Sequence, residues 1–228
     1  MAFHLHNILL IDIGNTAVKW QFNGSHTRVL IPDFNIDLLP KSDKVFVSCV
    51  GDKTVLKGLS KAVFVKSQAQ FSRFKSAYKV PENLGVDRFL AMISAIEQLP
   101  NQALLIIDAG SALTFDLVRE NGEHQGGLIM PGLGVLRRSF TQFESHSKIL
   151  TLAPLANNTE DAWAFGTGNM LMGAINTQID AHLEQQGDLK IILTGGDAKM
   201  IAYRLAHLVE IKENLVLDGL ALYAQSCN

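Results

Sequence analysis

Two short stretches carry residue types suited to phosphate chemistry: "DIGNTAVK" at 12–19 and "DAGS" at 108–111. Each closes an apolar run and reads aspartate, any residue, glycine, then a small polar residue. A glycine without a side chain lets backbone N–H groups approach phosphate oxygens, and Asn15, Thr16 and Ser111 add short donors to the same turns. Asp12 and Asp108 would be repelled by a phosphate met directly. They become useful when a cation lies between carboxylate and phosphate. Lys19 adds a positive charge of its own. A third acid, Asp87, opens the segment "GVDRFLAMISAIEQL" at 85–99 with Arg88 beside it. An acid in the first turn of a helix is held ionised by the helix N-terminus, and so is an available though weak base.

The elements that must position these residues are written twice. In the first half, strands fit 8–12, 17–22, 27–31, 44–50 and 62–67, and Asn23-Gly24 marks a hairpin between the second and third. A helix over 52–60 would make a βαβ unit. Residues 85–99 predict an amphipathic helix with Val86, Phe89, Leu90, Ile93 and Ile96 on one face and Pro100 after its end. In the second half, strands fit 103–108, 112–118 and 125–130, with Asn121-Gly122 in the matching hairpin. Helices fit 132–144 and 160–186, a strand fits 190–196, a helix follows to about 206, and 214–225 opens extended and ends helical. Asp-Gly turns after strands are common alone. Two in matching hairpin contexts predict a tandem duplication of one α/β domain, 1–102 and 103–228, with a cleft between the halves suited to a nucleoside triphosphate.

Bulk properties narrow the function class. The 228 residues are 47% hydrophobic and 18% charged, enough apolar material for a sizeable core. A net charge of −2 gives no electrostatic footprint for nucleic acid or an anionic membrane. Arg137-Arg138 reads as a solvated pair. Cys49 in an apolar run and Cys227 in the tail make no disulfide framework, which fits a reducing cytoplasm. No Cys/His spacing suggests zinc. The first residues lack the basic start of a signal peptide, and no apolar run approaches the ~20 residues of a membrane span. There is no P-loop, and "GTGNMLMG" at 166–173 fails the dinucleotide glycine spacing with no strand before it.

Seven blocks, in order along nearly the whole chain, carry a family resemblance: "DIGNTAVKW", "GVDR", "DAGSALTFD", "GGLIMPG", "GTGN", "TGGDA" and "NLVLDGL". Repeated strand–Asp-x-Gly turns resemble the acetate and sugar kinase/actin superfamily, and the blocks are similar to those of type III pantothenate kinases. The resemblance implies two tandem ribonuclease H-like domains, the duplicated actin-like ATPase fold. It implies ATP-dependent phosphorylation of pantothenate on its terminal hydroxyl, the first step towards coenzyme A. Asp12, Ile13, Gly14, Asn15, Thr16, Ala17, Val18 and Lys19 would form the ATP phosphate segment, and Ser111 would also touch ATP. Asp87 would be the general base. Gly85, Val86, Asp87 and Arg88 would line the pantothenate pocket with Tyr78 and Thr167. Asp108 would hold a monovalent cation, potassium or ammonium, while magnesium or another divalent ion accompanies ATP. The family usually has Thr where this chain has Ser111, which keeps the hydroxyl. A cytoplasmic homodimer is also implied, with "MPGLGVLRRSF" at 130–140 as one source of contact.

Plainer roles stand beside these. Asp87 can be only a favourable first-turn acid, Tyr78 a packing residue, Thr167 a helix cap, and Phe71 and Phe74 either core or pocket wall. Arg88 can pair with the carboxylate of pantothenate or orient Asp87, and sequence does not choose. A fold does not guarantee turnover, so the alternative is a non-catalytic accessory protein of the same fold. Asp12, Asp87, Arg88 and Asp108 are all in place, which favours the enzyme.

Overall fold

The computed structural model describes residues 7–59, 61–143 and 145–227. The chain forms two units, Met1–Pro100 joined by Asn214–Asn228, and Asn101–Glu213. In the first, strands β1 (Ile8–Ile13), β2 (Ala17–Phe22), β3 (Ser25–Leu30), β4 (Lys44–Cys49) and β5 (Ala62–Phe64) form a sheet in the order β3-β2-β1-β4-β5. A small hairpin, β6 (Gln70–Phe71) and β7 (Phe74–Lys75), precedes helix α1 (Val86–Gln98). In the second unit, β8 (Ala103–Ala109), β9 (Ala112–Val118) and β10 (His124–Pro131) are followed by helices α2 (Leu133–Arg138) and α3 (Thr159–Gln185). Then come β11 (Leu189–Thr194), α4 (Ala198–Ala202), β12 (Glu210–Ile211) and, back in the first unit, α5 (Leu215–Ser226). The second sheet runs β10-β9-β8-β11-β12, the same order element for element.

The pairing is duplicated as well. β1 is antiparallel to β2 and parallel to β4, and β8 is antiparallel to β9 and parallel to β11. This is the tandem duplication that the repeated motifs predict and the ribonuclease H-like architecture that the family resemblance implies. β1 is buried at all six positions, so it lacks the apolar–polar alternation of a half-exposed strand. Its odd-numbered residues Leu9, Ile11 and Ile13 pack with Val18, Trp20, Val45, Val47 and Leu56. Successive side chains alternate across a strand, so Asp12 shares the opposite face with Leu10. Helices α1 and α5 pack together and lie against β4, and α5 also lies against β1. In the second unit, Leu105, Ile107, Leu113 and Phe115 pack with Leu171, Met172, Ile175 and Ile179 of α3.

Several elements depart from the sequence expectation. The helix expected at 52–60 is one 3₁₀ turn, Lys53–Leu56. Asp52 explains this locally: its side chain accepts from the Thr54 N–H at 2.8 Å and the Thr54 hydroxyl at 2.7 Å, closing a tight turn. The helix expected at 132–144 stops at Arg138, with a separate turn at Thr141–Phe143. The strand at 62–67 shortens to Ala62–Phe64, and the helix after β11 ends at Ala202. Residues from Leu215 onward are helical throughout, not extended at first.

A division at 102/103 would leave the last segment in the second half, whereas Asn214–Asn228 belongs with the first unit. The reason is packing: α5 lies on α1 so closely that a Cβ on Gly219 would overlap the Leu90 carbonyl, 2.6 Å from its carbon. Among the described residues, no helix is long and apolar enough to cross a membrane. Gly219→Ala should therefore push α5 off α1 and lower unfolding stability by roughly 2–3 kcal/mol. A urea midpoint equal to wild type would show that this close approach does not hold the helix.

Candidate functional site

The first unit brings two sequence-distant acids into one neighbourhood. Asp12 stands near the C-terminal end of β1, across from Lys19 on β2 and Ser48 on β4. It is 7% exposed, and its Oδ1 accepts the Ser48 hydroxyl at 3.0 Å. Burial pushes its carboxyl up from 3.8 to about 6; Lys19 and the Ser48 bond pull it down, and the charge of Asp87 pushes it further up.

The turn after Asp12 is held from two directions. Gly14 N–H donates to the Ala17 carbonyl at 3.1 Å, leaving Asn15 and Thr16 exposed at the tip. The chain leaving β4 lies against the same turn: Val50 and Gly51 N–H both donate to the Ile13 carbonyl at 3.1 Å. A Cβ on Gly51 would overlap the Gly14 carbonyl, with its carbon at 2.9 Å, so only glycine fits there. Ala17 and Val18 are buried, and Lys19 is half-buried.

At the start of α1, Asp87 folds back over the helix end. Its Oδ1 accepts the Arg88 backbone N–H at 2.8 Å, and a Cβ on Gly85 would sit 2.7 Å from that oxygen. The glycine therefore makes room for the carboxylate. Arg88 is 5% exposed, and its Nη1 donates to the Tyr78 hydroxyl at 3.0 Å. Tyr78, Gly85, Asp87 and Arg88 thus come together, while the Val86 side chain is buried and offers mainly its backbone. Phe74 is core, 1% exposed, with its ring edge-to-face on Phe89, and the half-buried Phe71 stacks on Tyr223.

The second unit repeats the turn with different neighbours. Asp108 on β8 lies across from Thr114 on β9 and Thr194 on β11. It is half-buried, where Asp12 is buried. Gly110 N–H donates to the Ala112 carbonyl at 2.9 Å, and Gly132 N–H to the Ser111 carbonyl at 2.9 Å. Gly195 has φ +93°, and a Cβ there would collide with the Asp108 Oδ1 and the Ala109 carbonyl. Among the described residues, no group of three or more His, Cys, Asp or Glu could hold a metal ion. Any cation at Asp108 would be held by one carboxylate with hydroxyl and main-chain oxygens, a donor set suited to a hard ion.

Two expectations change in this unit. Arg137 is not solvated: it is fully buried, which lowers its pKa. Its guanidinium donates to the carbonyls of Ser147 at 2.6 Å and Ile149 at 2.8 Å, fastening the segment before α3. Its Nε donates to Thr167 Oγ1 at 3.3 Å. Thr167 lies inside α3 and is no cap; Asn158 caps that helix by accepting from Asp161 N–H. Its hydroxyl, 4% exposed, donates to the Trp163 carbonyl at 2.8 Å, so Thr167 is tied into its own helix. A cavity of about 550 Å³ lies at the N-terminal end of α3, lined by Phe143, Asn157, Asn158, Thr159 and Trp163 among others.

Sequence reasoning missed Ser48 and Gly51. A lone serine in the apolar run "KVFVSC" was the available signal for the first. The second shows only when the chain after β4 is seen against the turn.

Comparison with known proteins gives concordant matches. A family model described as type III pantothenate kinase matches residues 51–181. A protein named type III pantothenate kinase from Colwellia psychrerythraea is 32% identical, covering 95% of this chain and 100% of its own. Among solved structures, a Campylobacter jejuni protein assigned to a Baf transcriptional-activator family aligns with TM-score 0.62 and 23% identity, over 96% of this chain and 100% of that one. The inorganic polyphosphate/ATP-glucomannokinase of an Arthrobacter species aligns with TM-score 0.50 and 12% identity, over 98% of this chain and 100% of that one. At these identities the two structures show the fold alone.

The raised pKa of Asp12 has a stability consequence with a definite sign. Its contribution is fully present below about 3.8 and lost as pH rises through about 6. Above that, the buried anion is a standing cost on the order of 3 kcal/mol in the ligand-free protein. Asp12→Asn should therefore raise the ligand-free thermal midpoint at pH 7.5 by roughly 6–12 °C, with the gain gone at pH 4. A lower midpoint for the variant at pH 7.5 would contradict this account of the site.

Proposed function

The chain belongs to the type III pantothenate kinase family, and on that footing we propose that it transfers the γ-phosphoryl group of ATP to the terminal hydroxyl of pantothenate with Asp87 as general base. The observation that carries this reading is the Asp-x-Gly turn after Asp12, kept clear of side chains by Gly51, with Asp87 fixed at the start of α1 in the same unit. The bond formed joins the pantothenate oxygen to the γ-phosphorus, the bond broken is the bridge to the β-phosphate, and ADP leaves. The hydroxyl proton passes to the Asp87 carboxylate. A weak base suffices because the transition state of phosphoryl transfer is loose and the proton leaves late.

The other roles follow from position. The turn at Gly14, Asn15 and Thr16, with Asp12 and Lys19 behind it, takes the ATP phosphates; the family resemblance also assigns Ser111 to ATP. A divalent ion carried with ATP neutralises phosphate charge. Asp87 is already oriented by the Arg88 main chain and by the room left at Gly85, so Arg88's buried guanidinium is the group suited to the pantothenate carboxylate. Tyr78 holds that guanidinium in place.

We assign the monovalent cation to Asp108. This follows the family resemblance, and the register partners of Asp108, Thr114 and Thr194, add hydroxyl oxygens beside its carboxylate. We further place the protein in the cytoplasm as a homodimer, as the family resemblance implies. Val135 and Phe140 contribute exposed apolar surface to the 130–140 segment.

The test is phosphorylation of pantothenate by purified protein with magnesium and ATP, in potassium and then in sodium buffer. Asp87→Asn should lower kcat at least ~100-fold. Asp108→Asn should lose the difference between potassium and sodium. Undiminished turnover in Asp87→Asn would remove the base assignment. A folded protein that binds ATP and turns over nothing would remove the enzyme reading.

A further inference from the structure

Ser48 is a buried polar residue to which the reading above gives no task. It is 0% exposed, in a strand whose neighbours Val45, Phe46 and Val47 are buried and apolar. A hydroxyl in such a place costs stability unless it is hydrogen-bonded, and alanine would fill nearly the same volume without that cost. Its one hydroxyl proton goes to Asp12 Oδ1 at 3.0 Å, across the parallel pair of β1 and β4.

We propose that Ser48 is a positioning residue for nucleotide binding: it fixes the Asp12 carboxylate so that one oxygen, Oδ2, is presented in a constant place to the ligand at the phosphate turn. Three observations support this beyond the bond itself. First, the end of β4 cannot drift from the end of β1, because the Val50 and Gly51 N–H groups both hold the Ile13 carbonyl. The serine is therefore anchored at the spot where it acts. Second, Lys19 flanks Asp12 from the other neighbouring strand, so the carboxylate is bracketed by a donor on one side and a cation on the other. Third, the duplicated unit repeats the arrangement: Thr194, 3% exposed, occupies on β11 the register position opposite Asp108 that Ser48 occupies opposite Asp12. A hydroxyl residue on the parallel neighbour of each Asp-x-Gly turn is thus a feature of the repeat. A carboxylate left to rotate would lose part of its ligand interaction to the entropy of ordering on binding.

This inference rests on the phosphate turn being the nucleotide site, and not on pantothenate being the acceptor. The experiment is a double-mutant cycle over Ser48→Ala and Asp12→Asn. Affinity for magnesium-ADP is read from the thermal midpoint as a function of nucleotide concentration, beside steady-state KM values. Ser48→Ala should weaken magnesium-ADP binding about tenfold and raise the KM for ATP by a similar factor, with the KM for pantothenate within about twofold of wild type. On the Asp12→Asn background the same change should have an effect under about twofold. Ser48→Thr should retain most of the affinity, and Ser48→Cys, similar in size but a weak donor, should lose it as alanine does. The proposal is overturned if Ser48→Ala and Ser48→Cys bind magnesium-ADP as wild type does, or if their loss is the same with and without the Asp12 carboxylate. A protein that shows the expected coupling in nucleotide binding but does not phosphorylate pantothenate would overturn the function and leave this inference standing.

Discussion

The parallel register between the two inner strands of each sheet decides where the acids of the site stand. In the first unit, β1 and β4 pair so that Asp12 meets Ser48. A slip of one residue would turn Asp12 to the face occupied by Leu9, Ile11 and Ile13, an apolar cluster with no partner for a carboxylate. A slip of two would place it opposite Phe46 or Val50, again without a hydroxyl. The cost of burying a carboxylate in that cluster excludes the first error, and the two N–H bonds to the Ile13 carbonyl exclude the second. The same register fixes the turn after Asp12, because Gly51 reaches the Gly14 carbonyl only when Ser48 is level with Asp12.

Duplication then lets one framework serve two electrostatic ends. The antiparallel neighbour offers Lys19 to Asp12 and Thr114 to Asp108. A buried carboxylate needs a charge or strong donors nearby, and Asp12 has both, yet burial still holds its carboxyl at about 6. Asp108 is half-buried among hydroxyl residues. The difference between the two settings includes one register position, Lys19 opposite Asp12 and Thr114 opposite Asp108.

Much of this was legible in the chain, for identifiable reasons. The repeated Asp-x-Gly turns and Asn-Gly hairpins are local signals, and they gave the strands around the site and their duplication. Asp87 at the start of an amphipathic helix was local too. What escaped depends on contacts distant in sequence. Arg137 reads as half of a solvated pair, yet it is buried because carbonyls of Ser147 and Ile149 come to meet it. Residues 214–228 read as the end of a second domain, yet their glycine at 219 is shaped to the Leu90 carbonyl of the first. The 52–60 helix failed because Asp52 binds Thr54 in a way that no periodicity reveals.

Glycines at the site show how a phosphate turn can be kept both open and rigid. A turn held only by its own hydrogen bond, such as Gly14 to Ala17, would be loose. Here a second chain segment lies directly on the turn's backbone, at Gly51 in the first unit and at Gly132 and Gly195 in the second. Close backbone contact of this kind stiffens the turn without placing a side chain over it. Gly85 applies the same device at the start of α1, since a side chain there would displace the Asp87 carboxylate from its place over the helix end. The site is therefore shaped as much by the side chains it lacks as by those it carries. A substitution at Gly51 or Gly85 alters the geometry of Asp12 or Asp87 without touching either acid.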